Sequence, residues 1–219
     1  MSTRYDAIVI GSGSGMFVVY EAVFRGLRVA LVDKGPLGGT CPNLGCIPSK
    51  MLMFPADRVV EIHDASKLGI DATVRHIDFA LIMDRMRRSV EQAERQLADS
   101  LGQLHGMDLY EGEGRLTPDG EVEVNGARLS SDKLFIATGS RPSIPDVPGL
   151  SDINFLTTES LLSLTHRPKS LVILGGGYIG VEYAHFFSAM GTSVTLIEAA
   201  DRLVPGEEPE IAALLLRAL

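Results

Sequence analysis

The sequence predicts an α/β protein with two units of parallel sheet and a small β-meander, and three observations carry that prediction. Near the amino terminus, Ala7-Ile8-Val9-Ile10 is followed by glycines at 11, 13 and 15, a helix-length stretch from Phe17 to Phe24, and a second apolar run from Arg28 to Val32. The same order returns with Leu171-Val172-Ile173-Leu174, glycines at 175, 176, 177 and 180, a helical stretch to Met190 and the run Ser193 to Ile197. Between them, from Leu109 to Phe135, short alternating runs are broken by Pro118-Asp119-Gly120 and Asn125-Gly126, the residue types of hairpin turns. A strand, a tight turn, a helix and a second parallel strand form one βαβ crossover, so each glycine-bearing segment reads as a Rossmann-like unit.

The remaining elements follow in order. Gly26 closes the first helix, and Asp33 ends the second strand 22 residues after Gly11. Met83, Met86, Val90, Ala93, Leu97, Leu101 and Leu104 recur at helical spacing, which predicts a long amphipathic helix ending near Gly106. After Thr138-Gly139-Ser140-Arg141-Pro142, the residues Pro145, Pro148 and Gly149 read as a linker, with a boundary between Ser143 and Leu150. The expected division is therefore 1–145 and 146–219.

Bulk properties narrow the function. A chain of 219 residues has room for one large domain or two small ones. With 20 Lys and Arg against 28 Asp and Glu, the net charge is -8, which argues against nucleic acid and anionic membranes as partners. The longest apolar runs fall far short of the roughly 20 residues that cross a bilayer. Met1-Ser2-Thr3-Arg4 leads straight into the first strand, with no signal-peptide pattern, so a cytoplasmic location is expected. The only two cysteines, Cys41 and Cys46, stand close together, unlike a secreted disulfide framework.

The second glycine segment has the fuller nucleotide signature. Gly175 permits the tight turn, Gly177 lets the backbone approach a pyrophosphate, and Gly180 allows close packing of helix on strand. Glu198, ending the next strand, can accept both ribose hydroxyls and would repel a 2'-phosphate. Ala199 and Ala200 follow it, so NAD is expected over NADP, a preference that Arg202 moderates. In the first segment, Gly11-Ser12-Gly13-Ser14-Gly15-Met16 places Met16 where the third glycine belongs. Asp33 still supplies the ribose acceptor, and the amino-terminal position suits the adenosine half of FAD.

Cys41-Pro42-Asn43-Leu44-Gly45-Cys46 is not a thioredoxin-type C-x-x-C. Two sulfurs without nearby His or further Cys also make a poor zinc site, and no metal is expected. A disulfide needs the two Cα atoms within about 7 Å, which a regular helix does not give at this spacing. Pro42 and Gly45 argue for a bent helix start, where a reducible disulfide becomes possible, and two buried thiols are the alternative. The flanking Gly38-Gly39-Thr40 and Ile47-Pro48-Ser49-Lys50 favour the redox reading.

Those flanks carry a resemblance. GGTCPNLGCIPSK at 38–50, ATGSRP at 137–142 and GGGYIGVE at 175–182 resemble motifs of the class I pyridine nucleotide-disulfide oxidoreductases. That flavoenzyme family includes dihydrolipoamide dehydrogenase, mercuric reductase and glutathione reductase. With the amino-terminal glycine turn, four motifs stand in the family's order, and the resemblance runs over the whole chain. It implies FAD held by Gly11, Ser12, Gly13, Ser14, Gly15, Asp33, Lys34, Gly39, Thr40, Gly114, Thr138, Gly139 and Ser140. It implies NAD at Gly175, Gly177, Tyr178, Ile179, Gly180 and Glu198, with Tyr178 as an aromatic flap over the flavin.

The resemblance also implies roles. Cys41 would be the interchange thiol that meets substrate, and Cys46 the thiolate against the flavin. Lys50 would stand near the flavin N5, paired with Glu182. Ile47-Pro48-Ser49-Lys50 and Glu198 lean toward a lipoyl thiol substrate, with mercuric ion or another low-molecular-weight disulfide as alternatives. Family members run to more than twice this length, so the chain is expected to be a fragment ending inside the second unit. The family's catalytic histidine, which serves the neighbouring subunit of a homodimer, would lie beyond Leu219, and none of His63, His76, His105, His166 or His185 matches it. A noncatalytic FAD-binding fragment is the alternative of another class.

Overall fold

The computed structural model describes residues 2–219. In chain order the elements are β1 (Thr3–Arg4), β2 (Ala7–Ile10), α1 (Gly15–Phe24), β3 (Val29–Asp33), α2 (Thr40–Leu44), α3 (Cys46–Asp64) and α4 (Phe79–Gly102). Then come β4 (Met107–Glu111), β5 (Arg115–Leu116), β6 (Val122–Val124), β7 (Ala127–Ser130), β8 (Leu134–Ile136) and α5 (Thr158–Leu161). The chain closes with β9 (Ser170–Leu174), α6 (Tyr178–Ala189), β10 (Ser193–Ile197) and α7 (Pro209–Ala218). Two compact units result: residues up to Ile47 with Arg88–Glu159, and Pro48–Arg87 with Ser160–Leu219.

The first unit is built on a parallel sheet in the order β4-β3-β2-β8. Ala7–Ile10 and Val29–Val32 are buried throughout, the near-continuous apolar run expected of strands covered on both faces. Alternation assigns the faces. Ala7, Val9, Val29 and Leu31 pack with Met16, Val19 and Ala22 of α1 and Leu101 of α4. Ile8, Ile10, Ala30 and Val32 pack instead with Val122, Val124 and Leu129.

That second face is covered by β5, β6 and β7, an antiparallel meander whose last strand pairs in parallel with β1. Asn125 and Gly126 both adopt positive φ, 50° and 79°, which makes the two-residue hairpin turn between β6 and β7. The meander is shorter than the span from Leu109 to Phe135 suggested, because β4 and β8 at its ends take the two edges of the parallel sheet. At the amino end of that sheet, the Tyr5 hydroxyl donates to Asp108 at 2.6 Å and lies 2.7 Å from the Tyr110 hydroxyl. Arg28 donates to the same carboxylate at 2.8 Å and stacks 4.5 Å over the Tyr5 ring. Burial and these hydrogen bonds raise the Tyr5 pKa, while Tyr5 and Arg28 hold Asp108 below the usual carboxylate range.

In the second unit, β9 and β10 pair in parallel from Ser170 with Ser193 to Leu174 with Ile197. Their burial alternates: Leu171, Ile173, Val194 and Leu196 are half-buried, and the residues between them are exposed. α6 buries Val181, Tyr183, Ala184, Phe186 and Phe187, and the Phe79 ring lies 5.9 and 6.2 Å from those of Phe186 and Phe187. α3 contains Pro55, which cannot donate the hydrogen bond that would close the helix onto Met51. α4 stops at Gly102, four residues short of Gly106, and Phe79, Met83 and Met86 are its buried residues in this unit. Among the described residues no helix is long and apolar enough to cross a membrane.

Candidate functional site

The first glycine turn connects β2 to α1. Gly11 has φ +105°, and a side chain there would put its Cβ 2.2 Å from the Ala137 carbonyl oxygen. The buried Ser12 donates its N–H to Asp33 Oδ2 at 2.5 Å, and its hydroxyl accepts the Gly38 N–H at 2.8 Å. Asp33 Oδ1 accepts from Gly35 N–H at 2.7 Å, and Lys34 beside it is exposed. A Cβ on Gly39 would lie 2.6 Å from Gly13 Cα, so these backbones meet with no side chain between them. Gly15, at the first position of α1, comes so close to Val9 that a Cβ would lie 2.7 Å from its side chain. The fifth residue of the turn thus makes the close helix-to-strand approach, and the sixth, Met16, is buried in the core.

Ser14 stands exposed at the entry of α1, and Thr138, Gly139 and Ser140 lie exposed just beyond β8. Gly114 packs on β3, where a Cβ would sit 2.9 Å from the Val32 side chain. The bare backbone at Gly13 and Gly39, beside the N-terminus of α1, is the surface a pyrophosphate requires, so these residues fit a dinucleotide.

The second turn repeats the acid contact. Glu198 Oε2 accepts the Gly176 N–H at 2.6 Å, and Oε1 accepts the Ala200 N–H at 2.8 Å. These bonds, Ala200 foremost, hold the carboxyl below its ordinary range. Gly175 has φ +108°, and a Cβ on Gly180 would collide with the Gly175 carbonyl oxygen at 1.9 Å. A Cβ on Gly177 would meet nothing. Tyr178 and Ile179 are exposed on the first turn of α6, and the Tyr178 hydroxyl donates to Glu207, which pushes its pKa up.

The cysteines stand on either side of a helix break. Cys41 lies in α2, Gly45 interrupts, and Cys46 opens α3. A Cβ on Gly45 would lie 3.2 Å from the Thr40 carbonyl oxygen, the close return that a larger residue would crowd. Both side chains are thiols here, not bridged. A hydrogen bond to Cys46, with burial second, raises the Cys41 pKa. The buried Asn43 donates to the carbonyls of Leu37 and Gly39, each at 2.8 Å, and so fixes the loop that leads into α2. Sequence reasoning had not singled out Asn43; its one signal was a polar residue inside the cysteine pair.

Lys50, one helical turn beyond Cys46, pairs through Nζ with Glu182 Oε1 of α6. The two side chains are 61% and 32% exposed, which places the pair's worth to stability near about 0–1 kcal/mol rather than that of a buried pair.

Residues 5–219 match the family described as pyridine nucleotide-disulphide oxidoreductase. The chain belongs to that family. A mercuric reductase of Lysinibacillus sphaericus is 35% identical over 217 residues, 99% of this chain and 40% of the relative. A dihydrolipoyl dehydrogenase of Acholeplasma laidlawii is 36% identical over 217 residues, 96% of this chain and 64% of the relative. Among solved structures, an HOCl-induced flavoprotein disulfide reductase of Escherichia coli matches with a TM-score of 0.84 at 31% identity. That match covers 98% of this chain and 46% of the other. Within this family, then, the chain spans less than two thirds of the length of each of these relatives.

Proposed function

We propose that this chain carries the two nucleotide turns and the redox pair of an FAD-dependent, NAD-linked disulfide oxidoreductase, with a lipoyl group as the favoured substrate. In this reading residues 1–145 form the first FAD segment and 146–219 open the NAD domain of a cytoplasmic homodimer. The observation that carries it is the hydrogen-bonded thiol pair across the Gly45 break, with Lys50 one turn further along α3.

Asp33 and Glu198 would hold ribose hydroxyls, and the amino-terminal ends of α1 and α6 would receive the pyrophosphates. When bound, FAD supplies two-electron transfer between the nicotinamide and the cysteine pair. In the reductive direction the Cys41 thiolate attacks a substrate disulfide, forming a mixed disulfide and releasing one substrate thiolate. Cys46 then attacks the Cys41 sulfur, releases the second substrate thiolate and closes the Cys41–Cys46 bond. Dihydrolipoyl oxidation runs these steps in reverse, leaving Cys41 and Cys46 as thiols. The hydrogen bond and burial that raise the Cys41 pKa disfavour its thiolate, so a base that takes the Cys41 proton would speed the attack.

The test is an assay of the full-length protein with dihydrolipoamide, mercuric ion and oxidised thiols, each with NADH or NADPH where a reductant is needed. Activity with mercuric ion alone would favour the second reading, which the mercuric reductase relatives support. Two-electron reduction should also give a long-wavelength thiolate-to-flavin band that Cys46→Ser abolishes. Cys41→Ser should keep the band and lose turnover. Survival of the band in Cys46→Ser would overturn the assignment.

A further inference from the structure

A second pair joins α3 to α6. His185 Nε2 lies 2.9 Å from Asp57 Oδ1, three residues along α6 from Glu182 and seven along α3 from Lys50. Seven residues are close to two helical turns, so Lys50 and Asp57 share one face of α3, while a spacing of three makes Glu182 and His185 neighbours. Lys50 and Glu182 meet as an ion pair, and Asp57 and His185 meet as a hydrogen-bonded pair. In the observed register both contacts attract. A slip of α6 toward the carboxyl end of α3 would bring Glu182 toward Asp57 and set like charges together, and a slip the other way would part both pairs.

Two further features give this pattern a purpose. Pro55 lies between Lys50 and Asp57 and removes a hydrogen bond from α3, so each side of the interrupted helix is tied to α6 by its own pair. Apolar packing of Phe186 and Phe187 on Phe79 holds α6, but it is non-directional and sets register weakly. His185 also lines a cavity of about 1050 Å³ with His63, Arg75, His76 and Arg167, so Asp57 supplies its counter-charge among basic neighbours.

We propose that Asp57 and His185 form a positioning pair that fixes the register of α6 on α3 and thereby holds Glu182 on Lys50. Its functional consequence rests on the reading of Lys50 and Glu182 as part of the redox centre, while its geometric content stands apart from that reading. The test uses the full-length, FAD-loaded protein. Asp57→Lys offers Glu182 a second lysine, and its crystal structure should show the Lys50 and Glu182 charges separated beyond about 4 Å. The long-wavelength band of the two-electron-reduced variant should fall by about twofold or more. Adding His185→Glu to Asp57→Lys restores attraction in the native register and should recover both contact and band.

An unchanged Lys50–Glu182 contact in Asp57→Lys would overturn the proposal. Should that variant fail to fold, Asp57→Asn preserves shape and should lower the band in the same direction, and a wild-type band there overturns the proposal equally. Glu182→Gln separates the two claims. If it leaves band and turnover at wild-type levels, the redox reading of the pair fails, and the contact in the Asp57→Lys crystal still decides the positioning.

Discussion

At the end of β3, Asp33 accepts the Ser12 N–H at 2.5 Å; at the end of β10, Glu198 accepts the Gly176 N–H at 2.6 Å. Each carboxylate takes a second backbone N–H from two residues further on, Gly35 or Ala200. The surroundings differ. The first turn is pressed against Ala137 and Gly39 and stands on strands buried on both faces, whereas the second stands on a two-stranded sheet with alternate residues exposed. Helix-to-strand contact also falls at different places, at the fifth residue of the first turn and the sixth of the second. The carboxylate-to-turn contact is thus a local device, set by a glycine turn and an acid one strand later, while enclosure is supplied by distant segments.

Alanine at the glycines tests this most severely. Gly11→Ala, left-handed and facing the Ala137 carbonyl at 2.2 Å, should cost more than about 4 kcal/mol, and Gly180→Ala should match it. Gly177→Ala, at φ -74° with open space, should stay within about 0.5 kcal/mol. Chemical denaturation measures all three, and similar values at Gly11 and Gly177 would break the comparison. Next come the amino ends of the two sheets. Tyr5→Phe removes the hydroxyl from Asp108 and Tyr110 but keeps the ring under Arg28, and should cost about 1–3 kcal/mol. Thr192→Val loses one hydrogen bond, to the Pro168 carbonyl at 2.8 Å, and should cost about 1 kcal/mol in the same measurement.

Smaller effects sharpen the contrast. Folding lowers the Glu198 pKa from 4.5, so the stability it adds is complete above that value and is lost as pH falls through the lower, folded one. Protection of the Gly176 amide from hydrogen exchange should weaken on acidification through this window, and Glu198→Gln should remove that pH dependence. A protection profile identical in the variant would reject the role of the carboxylate. Smallest of all, Glu182→Gln should change the denaturation midpoint by an amount equivalent to no more than about 1 kcal/mol, since its partner Lys50 is mostly exposed. A larger loss would mean that the pair is buried in solution.

Much of this was legible in the sequence because it is local. Gly11, Gly175, Asp33 and Glu198 announce their turns within a few dozen residues, and Asn125-Gly126 announces its hairpin. Pro42 and Gly45 imply a bent helix start, and the structure breaks the helix at Gly45. What lay outside reach depends on partners remote in sequence. Nothing near Met107 to Glu111 says that this strand joins β3 rather than the meander. Nor does spacing show that Gly15 rather than Met16 meets Val9, because that depends on how α1 settles on the sheet. Lys50 and Glu182 were matched by family resemblance, but their exposure, and the neighbouring Asp57–His185 contact, required coordinates.

Ser12 has a consequence for communication across the first unit. Its amide is committed to the acid that ends β3, and its hydroxyl to the backbone of the loop that leads into the cysteines. One buried residue is therefore a shared joint between the nucleotide end and the thiol end. Displacement of Gly38, three residues before Cys41, must either break the hydrogen bond to Ser12 or drag the glycine turn with it. Ser12→Ala would uncouple the two by leaving the Gly38 N–H without this acceptor, turning a linkage that transmits strain into one that slips.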